Sequence, residues 1–216
     1  MNLTKVEITL TRLKAEYPTA SSLLNFANPY QALVATILSA QTTDQAVNRI
    51  TPQLFIKYPD AYFLSLANIE DLTGIIKSLG LYRVKAAHLV AAAREVKENY
   101  GGKIPDTFEE LLHLPGVGRK TANVVLANAF GKPGLGVDTH VHRVSNRIGL
   151  AASKDPSDTE TQLKAKIPEN DWGKAHHLLI FHGRQICTAR KPRCSSCILR
   201  DICAYFQSKQ DDHTLQ

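Results

Sequence analysis

Cys187, Cys194, Cys197 and Cys203 are the only cysteines in 216 residues, and six, two and five residues separate them. Four thiols at that spacing suit a metal cage better than a disulfide framework, which scatters its cysteines over a small secreted domain. A structural zinc and an iron–sulfur cluster both accept four sulfurs, and the spacing does not choose between them. The loop between the first two cysteines reads Thr-Ala-Arg-Lys-Pro-Arg, so a metal here would stiffen a loop that carries Arg190, Lys191 and Arg193. Two more residues invite catalysis. Lys120 stands two positions after Gly118, in the first turn of an expected helix, where the helix dipole and neighbouring Arg119 disfavour an ammonium. It is a candidate amine nucleophile, although the same position also suits a lysine that only binds phosphate. Asp138 opens Val137-Asp-Thr-His-Val-His-Arg143, where its carboxylate can cap the following helix and also hold a transient cation or relay a proton. His140 and His142 are read as structural.

The element that must position Lys120 is written in Leu111-x-x-Leu114-Pro-Gly116-Val117-Gly118-x-x-x-Ala122-x-x-Val125. Leu111 and Leu114 end one helix, Gly-Val-Gly turns the chain, and Ala122 and Val125 take the buried face of the next. This is a helix-hairpin-helix. Glycines let the backbone come close to a partner, and the amides of Gly116, Val117 and Gly118 at a helix start suit an anion, most naturally a phosphodiester. A nucleotide-binding P-loop is excluded, because Gly118-Arg119-Lys120-Thr121 lacks the Gly-Lys-Thr adjacency. Elsewhere, apolar residues at three- and four-residue steps predict helices over 30–38, 46–58, 84–100 and 175–186. Gly80 and the pair Gly101-Gly102 read as helix stops, and Ser157 with Glu160 reads as a capping box. Pro133-Gly134 marks a crossing between two lobes. No convincing strand is present, and the expected class is all-α.

Twenty-six Lys and Arg against twenty Asp and Glu give a formal charge of +6 and a pI near 9.1, a balance that favours polyanions. No stretch approaches the roughly 18 apolar residues of a membrane span, and the N-terminus lacks the apolar run of a signal peptide. The expected compartment is the cytoplasm, at the nucleoid.

Taken together, Leu114-Pro-Gly-Val-Gly-Arg-Lys120-Thr-Ala-Asn-Val-Val, Val137-Asp138-Thr-His and the cysteine cage resemble the endonuclease III family of DNA glycosylases and abasic-site lyases. Leu38-Ser-Ala-Gln41-Thr-Thr-Asp44 and Gly80-Leu81-Tyr82 resemble that family's two lesion-probing segments, so the likeness runs from about residue 25 to residue 205. The resemblance implies a two-lobed helix-hairpin-helix glycosylase fold with a C-terminal cluster loop. One lobe has six helices over 23–132, and the cluster lobe combines 1–22 with 133–216. It implies Lys120 as nucleophile, Asp138 as its catalytic partner and a [4Fe-4S] cluster on the four cysteines. Gln41 and Leu81 would fill the duplex where a damaged base has been flipped out. The implied reaction is removal of oxidised pyrimidines through a lysine Schiff base, with strand cleavage by β-elimination. The implied partner is double-stranded DNA bearing damaged bases or abasic sites, bound by a monomer without a membrane. An adenine-removing mismatch glycosylase would typically lack Lys120 and carry a further C-terminal domain. A non-catalytic hairpin module would not need Lys120 with Asp138, and an iron–sulfur electron carrier would leave the hairpin and basic loop unexplained.

Overall fold

A polar cap followed by apolar residues at helical spacing recurs along the chain, and the computed structural model, which describes residues 3–214, turns each such stretch into a helix. Among the described residues there is no strand. The chain divides into two compact units, Ser22–Gly134 and a unit assembled from Met1–Ser21 with Leu135–Gln216.

The continuous unit holds α2 (Pro29–Leu38), α3 (Asp44–Lys57), α4 (Ala61–Ser65), α5 (Ile69–Ile76), α6 (Tyr82–Asn99), α7 (Phe108–His113) and α8 (Arg119–Phe130), while α1 (Lys5–Glu16) belongs to the other unit. That makes seven helices where the sequence led us to expect six. α2 is its centre: Tyr30 and every residue from Ala32 to Leu38 are buried, and the helix packs against α3, α6 and α8. An apolar helix of this kind is stable only when surrounded, because each fully buried Leu or Ile side chain contributes about 1.5–3 kcal/mol over an exposed one.

The discontinuous unit packs α1 and α9 (Thr139–Ile148) on α11 (Trp172–Gln185), with α10 (Pro156–Lys164) and α12 (Ala204–Thr214) against α9. α1 offers Val6, Leu10, Leu13 and Tyr17 to a core shared with Leu135, Val141, Leu178 and Leu199. Arg12 fastens it to the cysteine segment through Ile198 O (2.8 Å) and Asp201 Oδ2 (2.9 Å).

Two expected boundaries move. α5 stops at Ile76, where a turn closed by Leu79 N–H on Ile76 O (2.9 Å) ends it, so Gly80 lies beyond the helix and is not its stop. α10 is capped by Asp155, whose Oδ1 accepts from the Asp158 amide at 2.9 Å with Pro156 at the first helical position. Ser157 sits inside that helix, and Glu160 pairs with Lys164 instead of closing a capping box. A carboxylate followed by proline outcompetes the later serine, because proline fixes the helical φ where no amide is needed. Gly101 and Gly102 do end α6, with φ of 59° and 81° and the Gly102 amide on Val96 O at 3.0 Å. We expect Asp155→Ala to lower unfolding free energy by about 1 kcal/mol and Ser157→Ala to change it by less than about 0.5 kcal/mol. Denaturant titration of the two variants checks the ranking.

Candidate active site and metal centre

The hairpin is built from α7, the five residues Leu114–Gly118 and α8. Leu111, Leu114, Ala122 and Val125 are buried, as the pattern requires. The two glycines serve different ends. Gly116 has φ of 79°, and a Cβ there would stand 2.8 Å from His88 Cβ on α6, so both conformation and space demand glycine. Gly118 has an extended backbone and open space around its missing side chain. It is the N-cap of α8 and supplies no side-chain cap, which leaves the helix start open to an outside acceptor. The Val117 amide, expected among the phosphate donors, already donates to Leu114 O at 3.0 Å, and its side chain is buried. Lys120 lies half-buried in the first turn of α8, and the Arg119 guanidinium sits 5.0 Å from the Phe108 ring centre.

The two probe segments have an unusual backbone. Gln41 (φ 52°) and Leu81 (φ 58°) are the only non-glycine residues with positive φ among the described residues. Left-handed backbone costs an L-residue roughly 1–2 kcal/mol, and such strain concentrates at binding and catalytic positions. Both side chains are exposed, Leu81 at 53 %. Beneath them, Lys85 in the first turn of α6 is buried and donates to Thr42 Oγ1 at 2.6 Å. Burial pushes its pKa down. Nothing in the local spacing announces this lysine, which reads as one more polar residue in a helix.

Asp138 belongs to the discontinuous unit and caps α9: its Oδ1 accepts from the His140 and Val141 amides, both at 2.8 Å. Its second oxygen takes no part in the cap. Farther along α9, two arginines one turn apart hold the basic loop from behind. Arg143 donates to Gly183 O and Cys187 O, and Arg147 donates to Thr188 O (2.7 Å) and Ala189 O (2.8 Å). The loop also closes on itself through Thr188 Oγ1 to Lys191 O and Arg193 N–H to Ile186 O. Arg190, Lys191 and Arg193 remain exposed. His142 joins a hydroxyl network with Thr159, and His140 lies 3.2 Å from Arg143.

No disulfide joins the four cysteines, which line one cavity open to solvent, with Ile148, His182 and Leu199 among its walls. Four sulfurs lining one cavity are a donor set that an iron–sulfur cluster accepts. Polar groups already point at the sulfurs. The Leu199 amide donates to Cys197 Sγ at 3.4 Å, His182 Nε2 lies 3.5 Å from the same sulfur, and Arg147 approaches Cys187 Sγ at 3.6 Å. Burial pushes His182 down to about 4, so its ring is neutral at physiological pH. Tyr17 Oη lies 3.2 Å from Nδ1, and the tautomer that suits a thiolate is the one in which Tyr17 donates to Nδ1 and Nε2–H faces the sulfur. Burial also raises the Cys197 and Cys203 thiols, so a bound cation must draw off their protons.

Comparison with known proteins follows the same division of the chain. Residues 34–169 match the HhH-GPD superfamily of base excision DNA repair proteins, and residues 187–203 match the iron–sulfur binding domain of endonuclease III. Endonuclease III of Synechocystis is 48% identical over 91% of this chain and 90% of its own. The Bacillus subtilis enzyme is 45% identical over 97% and 96%, and that of Escherichia coli K12 is 44% identical over 95% and 97%. A solved structure of a trapped covalent endonuclease III–DNA intermediate superposes with a TM-score of 0.90 at 40% identity, over 97% of this chain and all of the other.

The two hairpin glycines separate by experiment. Gly116→Ala should lower unfolding free energy by about 2 kcal/mol or more through strain and overlap with His88. Gly118→Ala should stay within about 1 kcal/mol of the parent. Equal losses in denaturant titration would contradict this division of labour.

Proposed function

The chain belongs to the endonuclease III family, and from that premise we propose that Lys120 is the nucleophile of its reaction and Asp138 the group that assists it. The protein is a bifunctional DNA glycosylase and abasic-site lyase of base excision repair, it binds DNA, and its cofactor is a [4Fe-4S] cluster. The observation that carries the assignment is the placement of Lys120: a half-buried amine in the first turn of a helix whose amides have no side-chain cap, directly after the hairpin.

The sugar C1′ is unreachable inside a stacked duplex, so the damaged nucleotide must leave the helix, at a cost of a few kcal/mol in lost stacking. Leu81 would enter the stack and Gln41 would offer its amide to the base left without a partner. The uncapped start of α8, with Arg190, Lys191 and Arg193 on their loop, would hold phosphates. The neutral amine of Lys120 then attacks C1′ as the bond to the base breaks. One proton leaves the new ammonium, and the nitrogen lone pair then opens the sugar ring by breaking the C1′–O4′ bond, O4′ taking up a proton, which gives a protonated Schiff base between Nζ and C1′. Its positive charge acidifies the C2′ proton, and removal of that proton expels the 3′ phosphate by cleavage of the C3′–O bond. Asp138, a carboxylate fixed at a helix start, would stabilise the positive charge or pass a proton. The four cysteines would hold the cluster, which when bound ties the basic loop to the core. The proposed substrates are duplexes with oxidised pyrimidines or abasic sites. The proposed working form is a monomer at the cytoplasmic nucleoid.

Borohydride should trap the parent protein on abasic DNA, and Lys120→Gln should abolish trapping while keeping most of the affinity for the duplex. Asp138→Asn should keep the α9 cap, since Asn caps nearly as well, yet slow turnover. Trapping at the parental rate by Lys120→Gln would identify another amine as the nucleophile. Purified protein should contain about four irons per chain. Cys197→Ser should lower that content and, by loosening the loop, weaken DNA binding; full affinity without iron would separate the loop from its cage.

A further inference from the structure

Gln41 and Leu81 sit on separate loops, one between α2 and α3 and the other between α5 and α6, forty residues apart in sequence. Each has an exposed side chain on a left-handed backbone that its own loop does not favour. Two contacts join the loops. Gly80 brings its backbone so near that a Cβ there would stand 3.5 Å from Gln41 O. Lys85, whose amide makes the first α6 hydrogen bond to Leu81 O (3.0 Å), reaches across with its side chain to donate to Thr42 Oγ1 at 2.6 Å. The Thr42 hydroxyl donates in turn to Ala40 O (3.3 Å), and the Thr42 amide donates to Ser39 O (3.1 Å), so this side chain holds the turn that carries Gln41. Only 3 % of Lys85 is exposed. An amine so little exposed costs stability that an apolar side chain would not, so its retention asks for a role that an apolar side chain could not fill.

We propose that Lys85 is the positioning residue that locks the Gln41 and Leu81 loops into one preformed wedge. This rests on the reading of Gln41 and Leu81 as the residues that fill the duplex. A wedge assembled before contact loses less conformational entropy on entering the stack, so more of its binding free energy offsets unstacking. Lys85 touches neither the sugar nor the base; it acts through Thr42 on one side and the first turn of α6 on the other.

The test uses two duplexes, one undamaged and one with a tetrahydrofuran abasic analogue, and reads the ratio of their dissociation constants. Lys85→Met and Thr42→Val should each reduce the preference for the lesion about tenfold, the worth of one hydrogen bond from a charged donor. The double variant should lose no more than either single one, because both remove the same bond. Stopped-flow fluorescence of a 2-aminopurine beside the lesion should show slower extrusion by the same factor. Equal weakening on both duplexes would mean that Lys85 only supports the fold, and additive losses would mean that the bond is not the link; either overturns the proposal. Should Lys85→Met fail to fold, Thr42→Val, at a partly exposed site, decides alone, and an unchanged preference rejects the coupling. Gln41→Ala and Leu81→Ala serve as reference. If they also leave the preference unchanged, the wedge reading itself falls; if they reduce it while Thr42→Val does not, only the role of Lys85 falls.

Discussion

An α-helix leaves its first four amide N–H groups without partners inside the helix, and a protein must decide what meets them. In the continuous unit, α2, α3, α4, α5 and α7 answer with a polar side chain, from Asn28, Thr43, Asp60, Asn68 and Thr107. α6 and α8 do not: their N-caps are Leu81 and Gly118. The two exceptions fall at the proposed lesion probe and at the hairpin. Leaving a cap out forgoes about 1 kcal/mol, and left-handed backbone at Leu81 adds to that. The surrounding core must absorb both, and α6 and α8 each pack against α2 within it.

Much of this was legible in the sequence because it is local. Cysteine spacing, the alternation of glycine and apolar residues in the hairpin, and Asp138 before a helix are patterns within one or two turns of chain. What sequence reasoning missed joins residues far apart. Lys85 meets Thr42, Tyr17 meets His182, and Arg143 and Arg147 reach the basic loop across some forty residues. No periodicity predicts such pairs, because each side chain fits an ordinary helical position on its own terms. The misplaced details share a different cause. Ser157 and Gly80 had the right residue type for a cap and a stop, but Asp155-Pro156 and the Leu79 turn lay closer to the true boundary. The Val117 amide was spent on the hairpin's own turn.

The cysteine cage illustrates how an electrostatic environment is prepared before its charge arrives. Burial resists ionisation of the Cys197 and Cys203 thiols, yet a backbone amide, a neutral imidazole and a guanidinium already face two of the sulfurs. Once metal removes the protons, those donors stabilise thiolate charge without rearrangement. Arg147, which faces the Cys187 sulfur, also fixes the Thr188 and Ala189 carbonyls, so loop geometry and ligand electrostatics share a side chain.

The discontinuous unit has a consequence during synthesis. α1 emerges from the ribosome first, with Val6, Leu10 and Leu13 exposed, but α9 and α11 that cover them follow more than a hundred residues later. The intervening residues form the continuous unit, which can fold while translation proceeds. At about 5–20 residues per second, α1 waits on the order of ten to forty seconds for Leu199 and the last cysteine. During that interval it is an amphipathic segment without a partner, open to a chaperone. Iron can be captured in a finished pocket only after Cys203 has been made.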